Sequence, residues 1–456
     1  MPAQKTWEEG EGAPAGAGEE DRIGALPDGI LHQVLSFVPA EQAVRTCVLA
    51  KRWRHLWKSA PGLCIGCFRN YKPVSVAALR RFVDPLFLHR RASPLDTCKL
   101  RIGDFSKDGD EDKVNLWFRH AVACKVREFT LHVERNDYVD PWRLLDDRHL
   151  VSQHLTRLKL HCVQCHDNFL DFASCPTLEH LEFEYCFFAL ATKISSESIK
   201  SLSIIDCPVS DDFRLRIYAP NLISLYLDEF WGMAPILENM PSLVEAFVRV
   251  TNIFADWCDK LCDNGKDCHC EYCDSGNIGN GSSVLLEGLS KARKLALISE
   301  PQMMLLKEDL ASCMHCHQLT LPLRKLSHLF ALQLVQFIFR RDLRWCPTFT
   351  MLKTLLLNDY WCVPDDLSPL ACMLEHSPVL EKLTLQLFSE GPDHKFEMKG
   401  TFSSRKRSSA ISEHLKIVEI KCEAIDEEVF KVLKFLCTFN IIRSEMSVDK
   451  LLNART

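Results

Sequence analysis

Two periodicities of apolar residues divide the chain. Up to Leu63 the apolar positions fall at helical spacing. Ile30, Leu31, Val34, Leu35 and Val38 make an i, i+1, i+4, i+5 stripe, which predicts an amphipathic helix. Pro27 suits a first turn, where its missing N–H would be unpaired anyway, and Asp28 suits the positive end of the helix dipole. Pro39 stops that helix. A second is expected over 40–49, with Ala43, Val44, Cys47 and Val48 on one side. A third starts at Lys51, carries Trp53, Leu56 and Trp57, and ends at Pro61 and Gly62. A unit of about forty residues cannot bury so many large apolar groups by itself. Part of that surface is expected to belong to a partner, since aromatic and leucine anchors are what tight interfaces use.

The second periodicity is a phrase of the form L-x-x-L-x-L. It reads Leu155, Leu158, Leu160; Leu178, Leu181, Phe183; Ile199, Leu202, Ile204; Leu222, Leu225, Leu227; and Leu243, Ala246, Val248. Weaker copies precede it at Leu95, Cys98, Leu100 and at Val126, Phe129, Leu131. Alternation within a phrase predicts a short strand with one face inward. A period of roughly 20–29 residues predicts one coil of a leucine-rich-repeat solenoid, in which stacking supplies the core. Pro176, Pro220 and Pro241 stand just before their strands and mark the entry to each coil. Cys186 and Cys207 occupy the slot that such repeats fill with Asn or Cys.

The register breaks at 256–283, a polar, Gly-rich stretch too long for an ordinary turn. Strands are expected to resume at Ala292, Leu295, Leu297, at His317–Leu321, at Leu329, Leu332, Leu334, and clearly at Leu352, Leu355, Leu357. Val74 to Leu88 reads as a connecting helix. Near the C-terminus, His414–Lys421 reads as a strand, 426–437 as a helix with Val429, Phe430, Leu433 and Leu436 inward, and Ile441–Val448 as a closing strand. The Gly- and Glu-rich residues 1–20 are expected to be disordered.

Composition narrows the class. Of the residues, 47% are hydrophobic and 25% charged, as in an ordinary soluble protein. A net charge of −6 gives no general attraction to nucleic acid. No apolar run reaches the length of a membrane span, and the N-terminus lacks the pattern of a secretory signal. The expected locations are therefore cytoplasm and nucleus, and the expected partners exclude nucleic acid and membrane. In that reducing setting the 22 cysteines should be thiols, mostly serving as small apolar residues.

Candidate chemistry is sparse. Cys258, Cys262, Cys268, His269, Cys270 and Cys273 in the 256–283 insertion include enough thiolate and imidazole for a tetrahedral zinc site. Two well-spaced CxxC pairs are lacking, so a thiol-rich loop is the default and no cofactor is expected. Two CxxCH strings, Cys162–His166 and Cys313–His317, spell a haem attachment, but each adjoins a repeat phrase and chance accounts for them. Arg405, Lys406 and Arg407 form a basic run in a Ser-rich loop, read as solvated rather than as an import signal. Arg45, Lys51, Arg52, Arg54 and Lys58 either assist docking or cover a solvent face. No nucleophile elbow, P-loop or dinucleotide fingerprint is present, so an enzyme is not expected.

The residues at 26–57 closely resemble the plant-type F-box: Leu26-Pro27, Ile30-Leu31, Leu35-Ser36-Phe37-Val38, Ala43-Val44 and Val48-Leu49-Ala50-Lys51-Arg52-Trp53-Arg54-His55-Leu56-Trp57. The stretch over about 345–440, with Met373–Leu383 and His414–Lys421, resembles the FBD module that follows leucine-rich repeats in plant F-box proteins. The resemblance implies a mixed α/β repeat fold: a disordered tail at 1–20, a three-helix F-box at 21–66, a connecting helical segment at 67–94, leucine-rich repeats at 95–344 and an FBD module at 345–450. It also implies a non-catalytic substrate receptor that docks a Skp-type adaptor, and through it a cullin, in a ubiquitin ligase. Leu26, Pro27, Ile30, Leu31, Leu35, Val44, Val48, Leu49, Trp53, Leu56 and Trp57 are then expected to pack the F-box or touch the adaptor. The alternatives are a repeat scaffold or decoy that delivers nothing, with the N-terminal bundle as a cap on the repeats.

Overall fold

A computed structural model describes residues 23–66, 74–134, 143–250, 283–299, 339–387, 414–438 and 445–450, apart from short gaps within them. The readings made above for 1–20, for the insertion with its six candidate ligands, for the strands at 317–321 and 329–334, for Cys313–His317 and for Arg405–Arg407 lie outside the described residues.

Three short helical segments come first. They are α1 (Asp28–Ser36), α2 (Ala40–Arg45) with a 3₁₀ turn to Val48, and α3 (Trp53–Leu56) with a 3₁₀ turn to Ser59. Pro27 and Pro39 stand at the N-caps of α1 and α2, as their fixed φ allows. The chain then enters β1 (Gly62–Ile65), a strand the helical reading of this segment did not foresee. Next come α4 (Val76–Arg90), β2 (Thr97–Ile102), α5 (Asp110–Ala123), β3 (Glu128–Val133) and the two-residue β4 (Arg143–Leu144).

From there the coils are regular. They contribute β5 (Arg157–His161), β6 (Val163–Gln164), β7 (His180–Glu184), β8 (Lys193–Ser195), β9 (Ser201–Ile205), β10 (Arg216–Tyr218), β11 (Ser224–Asp228), β12 (Ile236–Glu238) and β13 (Glu245–Val250). The remaining elements are α6 (Leu286–Leu289), β14 (Lys294–Ser299), β15 (Thr354–Asn358), α7 (Ser368–Glu375), β16 (Lys382–Leu387), β17 (Ile417–Cys422), α8 (Glu427–Thr438) and β18 (Glu445–Lys450).

Thirteen strands make one parallel sheet, in the order β1-β2-β3-β5-β7-β9-β11-β13-β14-β15-β16-β17-β18. A short sheet, β12-β10-β8, is built by the return half of the coils. The core lies between the long sheet and these returning segments: Leu181, Phe183, Leu202 and Leu225 from one side and Ile194, Ile217 and Leu237 from the other are buried. Every repeat phrase among the described residues puts its second and third apolar residues inward, as the period-two alternation requires.

The long-sheet strands β5, β7, β9 and β11 each exit through a left-handed residue: Cys162, Tyr185, Asp206 and Glu229, with φ of 56°, 54°, 49° and 48°. Its N–H still donates to the next coil, for example Tyr185 to the Ile205 carbonyl at 2.9 Å. The ladder therefore continues one residue past the strand while the chain turns the corner. The cysteine slot follows this corner, and its thiols do more than fill space. Cys186 donates to the Leu160 carbonyl at 3.3 Å, and the Cys186 N–H donates to the Cys207 sulfur at 3.3 Å. All fourteen cysteines among the described residues are free thiols, so the coils are held by packing and hydrogen bonds rather than staples.

In α8 the inward residues are Val429, Val432 and Leu436, with Leu433 partly covered. Phe430, expected inward, is exposed. The helix presents its 429–432–436 line to the sheet, and Phe430 falls a turn's fraction beyond it. Among the described residues, no helix is long and apolar enough to cross a membrane.

Candidate functional site

The first candidate surface is built by α1, α2 and α3. The sequence stripe on α1 splits into two. Leu31 and Leu35 are buried in the core, whereas Ile30, Val34 and Phe37, at i, i+4 and i+7, point outward. Pro27 continues that outward line, and Val48 and Leu49 are exposed on the turn after α2. Phe37 and Val48 are 75% and 83% exposed, values a soluble chain does not normally give to large apolar groups in a cluster. Trp53, Leu56 and Trp57 are buried, and Leu26 and Val44 are partly buried against the core. The eleven residues singled out from sequence thus divide into inward packing residues and an exposed set of Pro27, Ile30, Val48 and Leu49. Val34 and Phe37 belong with the exposed set but were not among the eleven. Their heptad spacing to Ile30 was the signal that could have placed them.

The basic residues around this surface are partly committed. Arg52 donates from Nε and Nη2 to Asp28 Oδ1 at 2.8 and 2.5 Å and from Nη2 to the Leu26 carbonyl at 2.5 Å, tying α3 to the start of α1. Lys58 lies over the Trp57 ring, 5.6 Å from its centroid. Arg45, Lys51 and Arg54 are exposed.

The helices are locked to the sheet at a close joint. Arg90 at the end of α4 is buried, and its guanidinium donates to the carbonyls of Trp57 at 3.0 Å and Ala60 at 2.8 Å. A Cβ on Gly62 would stand 2.7 Å from Ser36 Cβ, and one on Gly66, at φ 72°, would stand 1.9 Å from the Arg101 carbonyl oxygen. Only glycine allows that approach and that backbone.

The second candidate surface is the open face of the long sheet. Register stacks its outward residues in two rows. One row runs Thr130, Lys159, Glu182, Ser203, Tyr226 and Phe247, and the other His132, His161, Glu184, Ile205, Asp228 and Arg249. Lys159 pairs with Glu182 at 2.5 Å and Glu184 at 3.0 Å, and Arg249 pairs with Asp228 at 2.5 Å. His132 stacks on His161 at 3.9 Å, Tyr185 meets His161 edge-on at 5.3 Å, and Tyr226 stacks on Phe247 at 4.5 Å. Burial, then the neighbouring His161, pulls the His132 imidazole down to about 4, so it is neutral at pH 7. The face offers acceptors, paired ions and two aromatic stacks, a mixed surface suited to a folded polar partner.

The Cys162–His166 string is absorbed by the fold. Cys162 forms a coil corner, Cys165 is fully buried, and burial pushes its thiol up, so neither is presented to a cofactor.

A family model for the F-box domain matches residues 23–63. The chain is 26% identical over 430 residues to an F-box/FBD/LRR-repeat protein of Arabidopsis thaliana, covering 86% of this chain and 82% of that relative. A second F-box/FBD/LRR-repeat protein of the same plant is 28% identical over 263 residues, and an FBD-associated F-box protein is 28% identical over 265 residues. The chain spans 60% and 61% of the lengths of these two. The helices that leave Phe37 and Val48 uncovered lie within the F-box match, and the chain with its parallel repeat sheet is similar over most of its length to an F-box/FBD/LRR-repeat protein of Arabidopsis thaliana.

Proposed function

We propose that the chain is the substrate-recognition subunit of a Skp–cullin–F-box ubiquitin ligase. The observation that carries this reading is the exposure of Ile30, Val34, Phe37, Val48 and Leu49 within one short helical segment. Elsewhere among the described residues the exposed large apolar side chains are spread along the chain, Leu88, Val151, Leu190 and Phe430 among them. An adaptor seated there covers them, with Leu31, Leu35, Trp53, Leu56 and Trp57 holding the three-helix F-box in shape from beneath. The open face of the sheet takes the target protein, and α7, β16, β17, α8 and β18 form the FBD module that closes the repeats. The chain itself supplies proximity, raising the target's effective concentration at a conjugating enzyme, and its work is done in the cytoplasm or nucleus.

The test is co-purification of the full chain with plant Skp-type adaptors. The natural sequence should give a stable complex. Phe37→Ala combined with Val48→Ser should abolish it with an unchanged melting temperature, and Leu26→Ala with Pro27→Ala should weaken it. A natural chain that is folded and ignores several adaptors would overturn the ligase reading and leave the repeat scaffold. Adaptor binding without turnover of any target in cells would leave the decoy.

A further inference from the structure

Among the described residues, one cluster of metal-ligating side chains lies outside the residues named for both surfaces, and the function proposed above makes no use of it. Cys346 stands in the loop that leads into β15, and Cys372 and His376 lie at i and i+4 at the end of α7. The i, i+4 spacing puts the last two on one side of the helix. The ligand atoms of the three residues lie within 4.8 Å of one another, and all three side chains are partly exposed. The Cys372 sulfur is 3.8 Å from His376 Nδ1. Bonds of about 2.3 Å to sulfur and about 2.0–2.1 Å to nitrogen put the ligand atoms of a tetrahedral zinc ion about 3.5–3.8 Å apart, so this edge of the polyhedron already has its length.

The cluster differs from the chain's other thiols. Cys98, Cys165 and Cys207 are buried in the core, where burial favours the neutral thiol. Here the groups are partly exposed, and the Cys372 sulfur faces His376 Nδ1 with the Cys346 sulfur close by. Two thiols and an imidazole held this close are ligands from which a soft divalent cation displaces protons. The buried Asp342 carboxylate, which accepts the Leu285 and Leu286 N–H groups at 2.7 and 2.8 Å, adds negative charge beside Cys346 without being free to ligate through that oxygen.

We propose that Cys346, Cys372 and His376 form a Cys₂His site for one zinc-class divalent ion, with water in the fourth position. The ion takes the place of the protons on the Cys346 and Cys372 thiols, and the neutral ring coordinates through Nδ1 with its proton on Nε2. The ring gives up its 2.9 Å contact with the Cys372 carbonyl to turn its lone pair to the metal. Bound there, the ion pins α7 to the entry of β15 and stitches two consecutive coils. Nothing in this inference depends on the adaptor or the target.

The test uses the full chain, because the insertion has ligands of its own. In a parent variant, Cys258, Cys262, Cys268, Cys270 and Cys273 become Ser and His269 becomes Asn. After treatment with chelator under reducing conditions, this parent is titrated with Co²⁺ and then Zn²⁺. One equivalent of Co²⁺ should bind with thiolate-to-cobalt charge-transfer absorption, be displaced by Zn²⁺, and raise the melting temperature. Adding Cys346→Ser, a loop change that leaves the helix intact, should abolish the charge-transfer band. Adding His376→Asn should weaken Zn²⁺ binding by more than about a hundredfold, the upper end for losing an outer partner alone. A folded parent that binds neither ion, or binds them equally well after Cys346→Ser and after His376→Asn, would overturn the site and leave a metal-free thiol–imidazole contact.

Discussion

The N-terminal helices and the repeat coils treat the same amino-acid types in opposite ways. Phe37 on the helices is 75% exposed, and Phe183 on β7 is fully buried against Phe188, with ring centroids 5.0 Å apart. In the coils the inward apolar residues are buried, and the outward rows of the sheet are mostly polar with a few rings. On the helices the inward half is covered by the chain itself and the outward half by nothing among the described residues. Apolar patterning therefore has two meanings in one molecule, and what separates them is which surface the fold leaves open.

Paired substitutions break this comparison most sharply. Phe183→Ala should lower unfolding free energy in urea by about 3–5 kcal/mol, the cost of a large buried cavity. Phe37→Ala should change it by less than about 0.5 kcal/mol and cost adaptor affinity about thirtyfold, about 2 kcal/mol. Comparable stability losses in the two variants would mean that Phe37 packs internally.

The joint between the two regions comes next. Gly66→Ala should destabilise by roughly 2–3 kcal/mol, because the added Cβ meets the Arg101 carbonyl and the backbone is left-handed there. A melting temperature equal to the parent's would show that β1 can detach from β2 without penalty.

A third contrast lies on the open face. His132 is depressed to about 4 in the fold, against about 6.5 unfolded. Both states are neutral at pH 7. As pH falls, the unfolded chain takes up the proton first, so stability is full above about 6.5 and is lost as pH falls toward about 4. After allowance for solvent screening the loss should be about 1–2 kcal/mol. Unfolding curves at pH 7 and pH 4.5 should differ less for His132→Asn than for the natural chain, and an identical pH slope in both would refute the assignment.

The smallest effect is a gain. Lys125 follows α5 with φ 57° and is exposed. Lys125→Gly relieves a left-handed backbone at a helix C-terminus and should add about 1 kcal/mol in thermal unfolding. A loss would show that its side chain contributes to the fold.

The coils were legible because their signal is local. Leu158 and Leu160, or Leu202 and Ile204, alternate within five residues, and the pleat turns that alternation directly into a buried face. β1 was hidden because Gly62–Ile65 offers only Leu63 and Ile65, directly after a Pro-Gly pair that also reads as a helix stop. Phe430 misled because a helical stripe has edges, and one residue's rotation moves an edge position from core to water. On α1 the pattern showed that Ile30 and Leu31 are apolar but not which of them the rest of the chain covers. The joining of Cys346 to Cys372 and His376 has no sequence spacing to betray it, because the packing of successive coils, rather than a motif, brings them together.

The entry of β1 into the long sheet has a consequence for reach. The last residues of the F-box match are the first residues of the ladder, so the N-terminal helices ride on the end of a stack rather than on a tether. Parallel neighbours lie about 4.8 Å apart. The distance from a partner held at the helices to one held on a given coil is then set by how many strands lie between, in whole steps. Gaining or losing a coil would move the second partner by one such step and leave its orientation nearly unchanged, apart from the sheet's twist. A chain built this way can tune spacing by counting.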